Sequence, residues 1–294
     1  MARQLVSILT PSFNQGHWLA DNMRSVQSQT YPHIEHIIMD GGSKDGSLNL
    51  LRAQAGSNVR WRCEPDEGQS HAINKAFGES RGEIIGWINS DDAYFSRDVV
   101  DTVVRLFAAR SDVAVVYGHA ALVNADGLVL QIIWVPGFNY RLLRLHNYII
   151  QPAAFIRRSA LGDRLVDEAY KSAMDRELWL RLGRSQRFQR IGKILAIDRH
   201  HPYRKSYTRP DLAREDSNRM VSTYAVPSGK LATAQLKMWK IVFRLMGAAL
   251  VRQALQIPLA FQGRVDGRLS LAYRQVAVPR AAMPIGEDIP RQAG

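Results

Sequence analysis

The stretch GEIIGWINSDDAY, residues 82–94, joins a short apolar run, Glu83–Ile88, to two adjacent carboxylates, Asp91 and Asp92. A run of that length between turn residues reads as a buried strand. Acids directly after it sit at the strand's carboxyl end, where open α/β sheets bind their ligands. The same grammar occurs three times upstream. Leu5–Thr10 stops at Pro11-Ser12-Phe13-Asn14, His36–Met39 at Asp40-Gly41-Gly42, and Val59–Cys63 at Glu64-Pro65-Asp66. Between these runs, His17–Gln29, the segment opened by Asp45-Gly46-Ser47, and Ser70–Ser80 space their apolar residues as helices do. This β-α-β-α rhythm predicts an α/β fold, with a parallel sheet covered by helices on both faces.

The rhythm changes after residue 100. Val99–Ala109 reads as a helix and Val113–Tyr117 as a strand. Ala121–Val135 reads as a hairpin turned by Asn124-Ala125-Asp126-Gly127. Phe155–Arg158 and Phe188–Ile197 are further strands, and Asp175–Leu182 a helix. We divide the chain into residues 1–209, with halves 1–100 and 101–209, an amphipathic helical tail, 210–263, and a loosely ordered terminus, 264–294.

The chain has 294 residues, 46% of them hydrophobic and 22% charged, which suits globular domains and excludes collagen-like or wholly disordered chains. One cysteine, Cys63, rules out an internal disulfide or a cysteine-based zinc site, and suits a reducing compartment. The start of the chain reads as too short an apolar run for a signal peptide, and no run reaches the length of a spanning helix. The net charge of +12 is uneven. Residues 1–198 hold 23 Lys/Arg against 21 Asp/Glu, whereas residues 199–294 hold 16 against 6. A basic tail behind a neutral body points to an anionic partner for the tail.

Several carboxylates gathered at one rim repel each other unless a cation or hydroxyl donors compensate. Asp91 and Asp92 suit Mg²⁺ or Mn²⁺, hard cations that also take oxygens from a substrate diphosphate. The same pair would serve equally as a cap for a helix starting near Arg97. There is no Gly-x-x-x-x-Gly-Lys-Ser/Thr loop and no Gly-x-Gly-x-x-Gly after the first strand, which disfavours P-loop nucleotidases and dinucleotide dehydrogenases.

Five segments together, VSILTPSFNQGHWL (6–19), SVQSQTYPHIEHIIMDGGSKDGS (25–47), EPDEGQSHAINKAF (64–77), GEIIGWINSDDAY (82–94) and MDRELWLRL (174–182), resemble the family 2 glycosyltransferases of GT-A fold. The resemblance covers about residues 4–205 and implies that 1–209 is a catalytic domain, with 1–100 its nucleotide-binding half and 101–209 its acceptor half. It implies inverting transfer of a sugar from a nucleotide diphosphate sugar, a uridine one in the first instance, to an acceptor hydroxyl. Carried over motif by motif, Thr10, Pro11, Ser12 and Phe13 would line the base and ribose pocket, and Asp40 would hydrogen-bond the base or ribose. Asn74 and Lys75 would face the nucleotide and diphosphate, although a solvated helix position explains Lys75 as well. Ser90-Asp91-Asp92 is the DxD-like element, with Asp91 on the nucleotide side and Asp92 the direct metal ligand.

Asp175 falls where such enzymes place the catalytic base. Here Met174 precedes it, where the family often has a glutamate. Glu177, two residues on, faces elsewhere on a helix and reads as a salt-bridge partner. His201, in Arg199-His200-His201-Pro202, would touch the metal or diphosphate; an exposed loop histidine is the plainer alternative. Glu64, Asp66 and Gln151 would meet the donor sugar or acceptor, with Asp66 open to helix capping instead. Arg158 reads as structural.

Lys230–Ile257 sets Lys230, Lys237, Lys240, Arg244 and Arg252 beside a broad apolar stripe, with no acid among them. That is the pattern of a helix lying in an anionic membrane surface, with Trp239 and Phe243 among acyl chains. Packing on the catalytic domain or on a second subunit is the alternative. The expected partners are therefore a nucleotide sugar, a glycan or lipid-linked acceptor, the inner face of the cell membrane, and a second copy in a homo-oligomer. No nucleic acid is expected, because the tail lacks separate stacking aromatics. The competing classes are a non-catalytic nucleotide-sugar or glycan-binding module, and a nucleic-acid binder acting through the tail.

Overall fold

The computed structural model describes residues 4–254 and 264–265, apart from residues 55, 57, 126 and 228. The terminus assigned to 264–294 lies, but for its first two residues, outside the described residues. So do the last three residues of the expected tail helix.

The strands are β1 (Val6–Ser12), β2 (Ile34–Asp40), β3 (Val59–Cys63), β4 (Ile84–Trp87), β5 (Ala93–Tyr94), β6 (Val115–Val123), β7 (Leu128–Ile133), β8 (Ala154–Arg157), β9 (Phe188–Arg199) and β10 (Arg264–Val265). The helices are α1 (Gly16–Gln27), α2 (Ser47–Gln54), α3 (Gln69–Glu79), α4 (Val99–Ala109), α5 (Tyr140–Leu145), α6 (Met174–Leu182), α7 (Lys205–Thr208), α8 (Pro210–Tyr224) and α9 (Gly229–Ala254). One mixed sheet runs β10-β7-β6-β8-β4-β1-β2-β3, with β9 beside β6 and β5 beside β9. Its first half is parallel, as the rhythm predicts: β1 pairs with β2 and β4, and β2 with β3. Ser12 stands opposite Asp40, and Asp40 opposite Cys63, so these strands end level at one rim. The second half is largely antiparallel, with β8 joining β4 to β6 and the β6–β7 hairpin turning at 124–127.

Period-two alternation sends neighbouring apolar residues to opposite faces. Leu9, Ile37 and Met39 join Ile73, Phe77, Leu178 and Trp179 in the larger core, under α3 and α6. Ile8 packs on the other face with Val99, Val103 and Phe107 of α4. Ile38 meets Leu19, Met23 and Leu51 of α1 and α2. Every residue of β1 is buried, as a central strand covered on both faces requires. Gly86 interrupts β4 because a Cβ there would lie 2.7 Å from Tyr94 Oη and 2.8 Å from Ile8 Cδ1. That space holds the Tyr94–Phe155 ring stack.

The tail packs on the sheet, the alternative that its sequence left open. Met220 and Tyr224 of α8 belong to the larger core. Trp239 and Phe243 do not point away from the protein. The Phe243 ring lies 6.0 Å from Trp134, 5.8 Å from His146 and 5.7 Å from Trp239. Gly247 brings the α9 backbone so close to the Ile132 carbonyl that no Cβ fits between them. The apolar residues of α9 left exposed are Leu231, Met238, Ile241, Leu245 and Met246. Among the described residues no helix is long and apolar enough to cross a membrane.

Candidate active site

A cleft of about 530 Å³ opens at the rim where β1 and β4 end. It is lined by Pro11, Ser12 and Phe13, by Asp91 and Asp92, and by Gln151, Ser172 and Asp175. Tyr203, Arg204, Lys205 and Thr208, from the segment after β9, line it too. A second hollow, at Gly137–Phe138 and Ser185–Arg190, is lined by no acid.

Asp92 is almost fully buried. Its Oδ1 accepts from the Arg199 backbone N–H at 3.1 Å and its Oδ2 from the Asn89 amide at 3.3 Å. Burial, followed by the charges of Asp91 and Asp198, pushes its carboxyl well above the usual range. Asp91 Oδ2 and His201 Nε2 share a hydrogen bond of 2.9 Å. The His201 ring is buried and lies 3.9 Å from Trp18, so it stands behind Asp91 rather than in the open cleft. Arg199, also buried, donates to the Asp91 carbonyl at 2.9 Å and pairs with Asp21 at 3.1 Å.

Crowded oxygen donors with one carboxyl held up by its neighbours are what a hard dication relieves. Among the described residues no three His, Cys, Asp or Glu side chains form a ready-made cage. Mg²⁺ and Mn²⁺ ordinarily take one or two carboxylates and fill the rest from phosphates and water, so these residues fit such an ion.

Asp175 stands in the first turn of α6 and accepts from the Asn147 amide at 2.8 Å. Burial raises its pKa, against smaller lowering contributions from the Arg176 backbone N–H and Asn147. A raised pKa makes a carboxylate a better proton acceptor near neutral pH. Asp216 of α8 sets the approach to this helix. Its carboxylate accepts from the backbone N–H groups of Lys171 at 3.2 Å, Ser172 at 2.7 Å and Ala173 at 2.8 Å. Glu177 is buried and paired with Arg181 at 3.1 Å and Tyr224 Oη at 2.6 Å, the structural role its spacing suggests.

Other expected residues stand outside the cleft's lining. Thr10 is interior and bonded to His36 at 2.9 Å. Asp40 spends its oxygens on its own loop, accepting from Gly42 N, Ser43 N and Ser43 Oγ. Asn74 is tied to the 165–168 segment through Leu165 N, Val166 N and the Val166 carbonyl, and to Glu168. Lys75 pairs with Glu64 at 2.9 Å, which takes both from the cleft. Asp66 does line it, and also accepts from Gly68 N at 2.8 Å. Gln151 lines it too, accepting from Asn89 and donating to the Trp87 carbonyl. Arg158 donates to the Gly82 and Ser80 carbonyls, holding the entry to β4.

Sequence reasoning missed Asn147, Asp198, Tyr203, Arg204 and Lys205. The basic segment after β9 was the available signal for the last three, and the acid ending an apolar strand the signal for Asp198.

The sequence profile of Glycosyl transferase family 2 matches residues 7–165, more than half of the chain. The chain belongs to that family. An uncharacterized glycosyltransferase of Rickettsia conorii is 25% identical over 206 residues, covering 67% of this chain and 34% of the relative. Chondroitin synthase of Pasteurella multocida is 28% identical over 198 residues, 65% of this chain and 20% of that one. The chain thus spans about a third of the Rickettsia relative and less of the synthase. Among solved structures, S. aureus TarS 1–349 in complex with UDP-GlcNAc aligns with a TM-score of 0.57 at 16% identity, over 74% of this chain and 66% of that one. Mannosyltransferase PcManGT from Pyrobaculum calidifontis, in complex with GDP-Man and Mn²⁺, gives 0.55 at 17%, over 86% and 76%. These likenesses establish the GT-A-type α/β fold.

Proposed function

We propose that this family 2 glycosyltransferase moves a hexose, with inversion, from a nucleoside diphosphate sugar to a hydroxyl of a glycan or lipid-linked acceptor. The observation that carries the reading is the shared cleft, which Asp91, Asp92 and Asp175 line together. Asp175 accepts the proton as the acceptor O–H bond breaks. The oxygen's electron pair forms the new bond at the anomeric carbon, and the bond to the diphosphate breaks with its electrons leaving on the nucleotide. Pro11, Ser12 and Phe13 would flank the nucleoside. Asp91 and Asp92 would hold Mn²⁺ or Mg²⁺, which supplies Lewis-acid neutralisation of the departing diphosphate. UDP is the first nucleotide to try, in view of the UDP-GlcNAc bound to TarS. Chondroitin synthase among the relatives supports a polysaccharide acceptor.

The test is donor turnover with Mn²⁺ or Mg²⁺, using UDP- and GDP-sugars against an acceptor panel. Asp92→Ala and Asp175→Asn should each abolish transfer; full activity in either variant would overturn that residue's role. Nucleotide binding with no turnover across the panel would favour the binding-module alternative.

The exposed side of α9 supports a peripheral site of action on a cytoplasmic membrane face. Leu231, Met238, Ile241 and Leu245 recur at spacings of seven, three and four, and Lys237, Lys240 and Arg244 follow one side of that stripe. An apolar stripe flanked by cations suits anionic headgroups. Flotation with phosphatidylglycerol vesicles but not phosphatidylcholine vesicles, lost in Met238→Ser/Ile241→Ser/Leu245→Ser, is the expected result. A concentration-dependent dimer abolished by the same substitutions would assign the stripe to a second copy instead.

A further inference from the structure

The acid cluster already holds a cation that belongs to the chain. Arg204 stands just before α7, with its backbone N–H turned onto the His201 carbonyl at 3.2 Å. Its side chain is three-quarters buried, and Nη2 lies 2.9 Å from Asp198 Oδ1. It lines the same cleft as Asp91, Asp92 and Asp198. Asp198 in turn adjoins Asp92, because Ala93 pairs with Ile197 across β5 and β9 and the Arg199 backbone N–H donates to Asp92 Oδ1 at 3.1 Å. The other buried guanidinium nearby, Arg199, is held by Asp21 and by the Asp91 and Ala125 carbonyls.

Three carboxylates at one rim cannot give full attraction to two cations that also repel each other in a partly desolvated site. We propose that Arg204 is the resident counter-ion of the Asp91–Asp92–Asp198 cluster, and that a divalent cation enters by displacing it. This rests on the cation-assisted reading above and adds a residue that the family's motifs do not mark. Arg204 offsets part of the cluster's negative charge before the ion arrives. Its guanidinium is released at a position that lines the cleft. The ion's apparent affinity therefore includes the work of breaking the Arg204–Asp198 pair.

The test uses the full chain with Mn²⁺ alone, at pH 8 and without nucleotide, following the free-ion electron paramagnetic resonance signal. Arg204→Gln removes the competitor and is expected to bind Mn²⁺ about tenfold tighter than the parent. Adding Asp92→Asn should abolish that tight binding, which places it at the cluster. Equal or weaker binding by Arg204→Gln, with its thermal melt unchanged, overturns the proposal, as does tight binding insensitive to Asp92→Asn. If Arg204→Gln melts with the parent yet neither binds Mn²⁺, the proposal also falls. Transfer activity is scored separately. A flat Arg204→Gln titration beside Asp175-dependent transfer removes the displacement step alone, and loss of Asp175 dependence removes the transfer reading instead.

Discussion

Asp216 offers the most demanding test of how the candidate base is positioned. It lies on α8, outside the span of the family motifs, yet its carboxylate holds three consecutive backbone N–H groups, Lys171 to Ala173, directly before the helix that carries Asp175. Hydrogen bonds to an ionised acceptor contribute about 1.5–3 kcal/mol each, and three sharing one carboxylate do not add in full. Asp216→Ala is therefore expected to cost about 3 kcal/mol. At roughly 2–4 °C per kcal/mol for domains of this size, the melting temperature should fall by about 6–12 °C. The functional effect separates from the stability effect. Freed of its anchor, the 171–173 segment no longer fixes the start of α6, and kcat should fall by about tenfold or more at saturating donor, since small misplacements of a reacting group are costly. The control is Met220→Ala on the same helix. Met220 is fully buried, and its truncation should cost a similar amount, about 2–5 kcal/mol, without touching the anchor. Melts and initial rates on both variants decide the matter. Equal loss of kcat in the two, or an unchanged kcat in Asp216→Ala, would refute the positioning argument.

Three further predictions follow from separate features. Burial raises the Asp175 pKa, so its folded state binds the proton more tightly than the unfolded chain does. The associated stability is present below the ordinary carboxylate range and lost as pH rises through the raised pKa. Asp175→Asn should therefore melt above the parent at pH 7.5 and not at acid pH, while the parent's rate profile loses activity at a higher pH than an ordinary aspartate would give. Gly247→Val places a side chain against the Ile132 carbonyl and should lift α9 from β7, seen as faster amide exchange in α9 and β7 with transfer to a soluble acceptor retained. Asn89→Asp replaces the amide N–H₂ facing Asp92 Oδ2 and Gln151 Oε1 with an oxygen, and should lower kcat by about a hundredfold with little change in side-chain volume.

The fold was legible because its signals are local. Continuous apolar runs such as Leu5–Thr10 and alternating helical periods set the parallel half, and the turn at 124–127 announced the hairpin. Pro11 to Phe13, Asp91 and Asp92, which stand at strand ends, line the cleft, and so do Asp66, Gln151 and Asp175, which the family resemblance pointed to. Asp40 ends a strand too, but a short Gly-Gly-Ser loop folds back on its carboxylate, a competition invisible in spacing alone. Lys75 and Glu64 likewise satisfy each other across a contact that sequence distance conceals. Trp239 and Phe243 were assigned to lipid because α9 has two apolar faces, and periodicity cannot say which one meets the protein. Asp198 and Arg204 went unread because an acid ending one strand and a cation six residues on look like ordinary surface charge until the chain pairs them in the cleft that Asp92 lines.

The side-chain amide of Asn89 has a directional consequence. Its oxygen receives the Trp87 indole N–H at 2.9 Å and the Gln69 amide at 2.8 Å, while its nitrogen gives to Asp92 and Gln151. With both poles saturated, the group has one permitted orientation, like a keyed connector. It spans the seam between the parallel and antiparallel halves, so a strain that slides one half against the other is felt at Asp92 as a broken donor. Rigidity at that seam keeps Asp92 and Gln151, which both line the cleft, in mutual register while each half tolerates change in its outer loops.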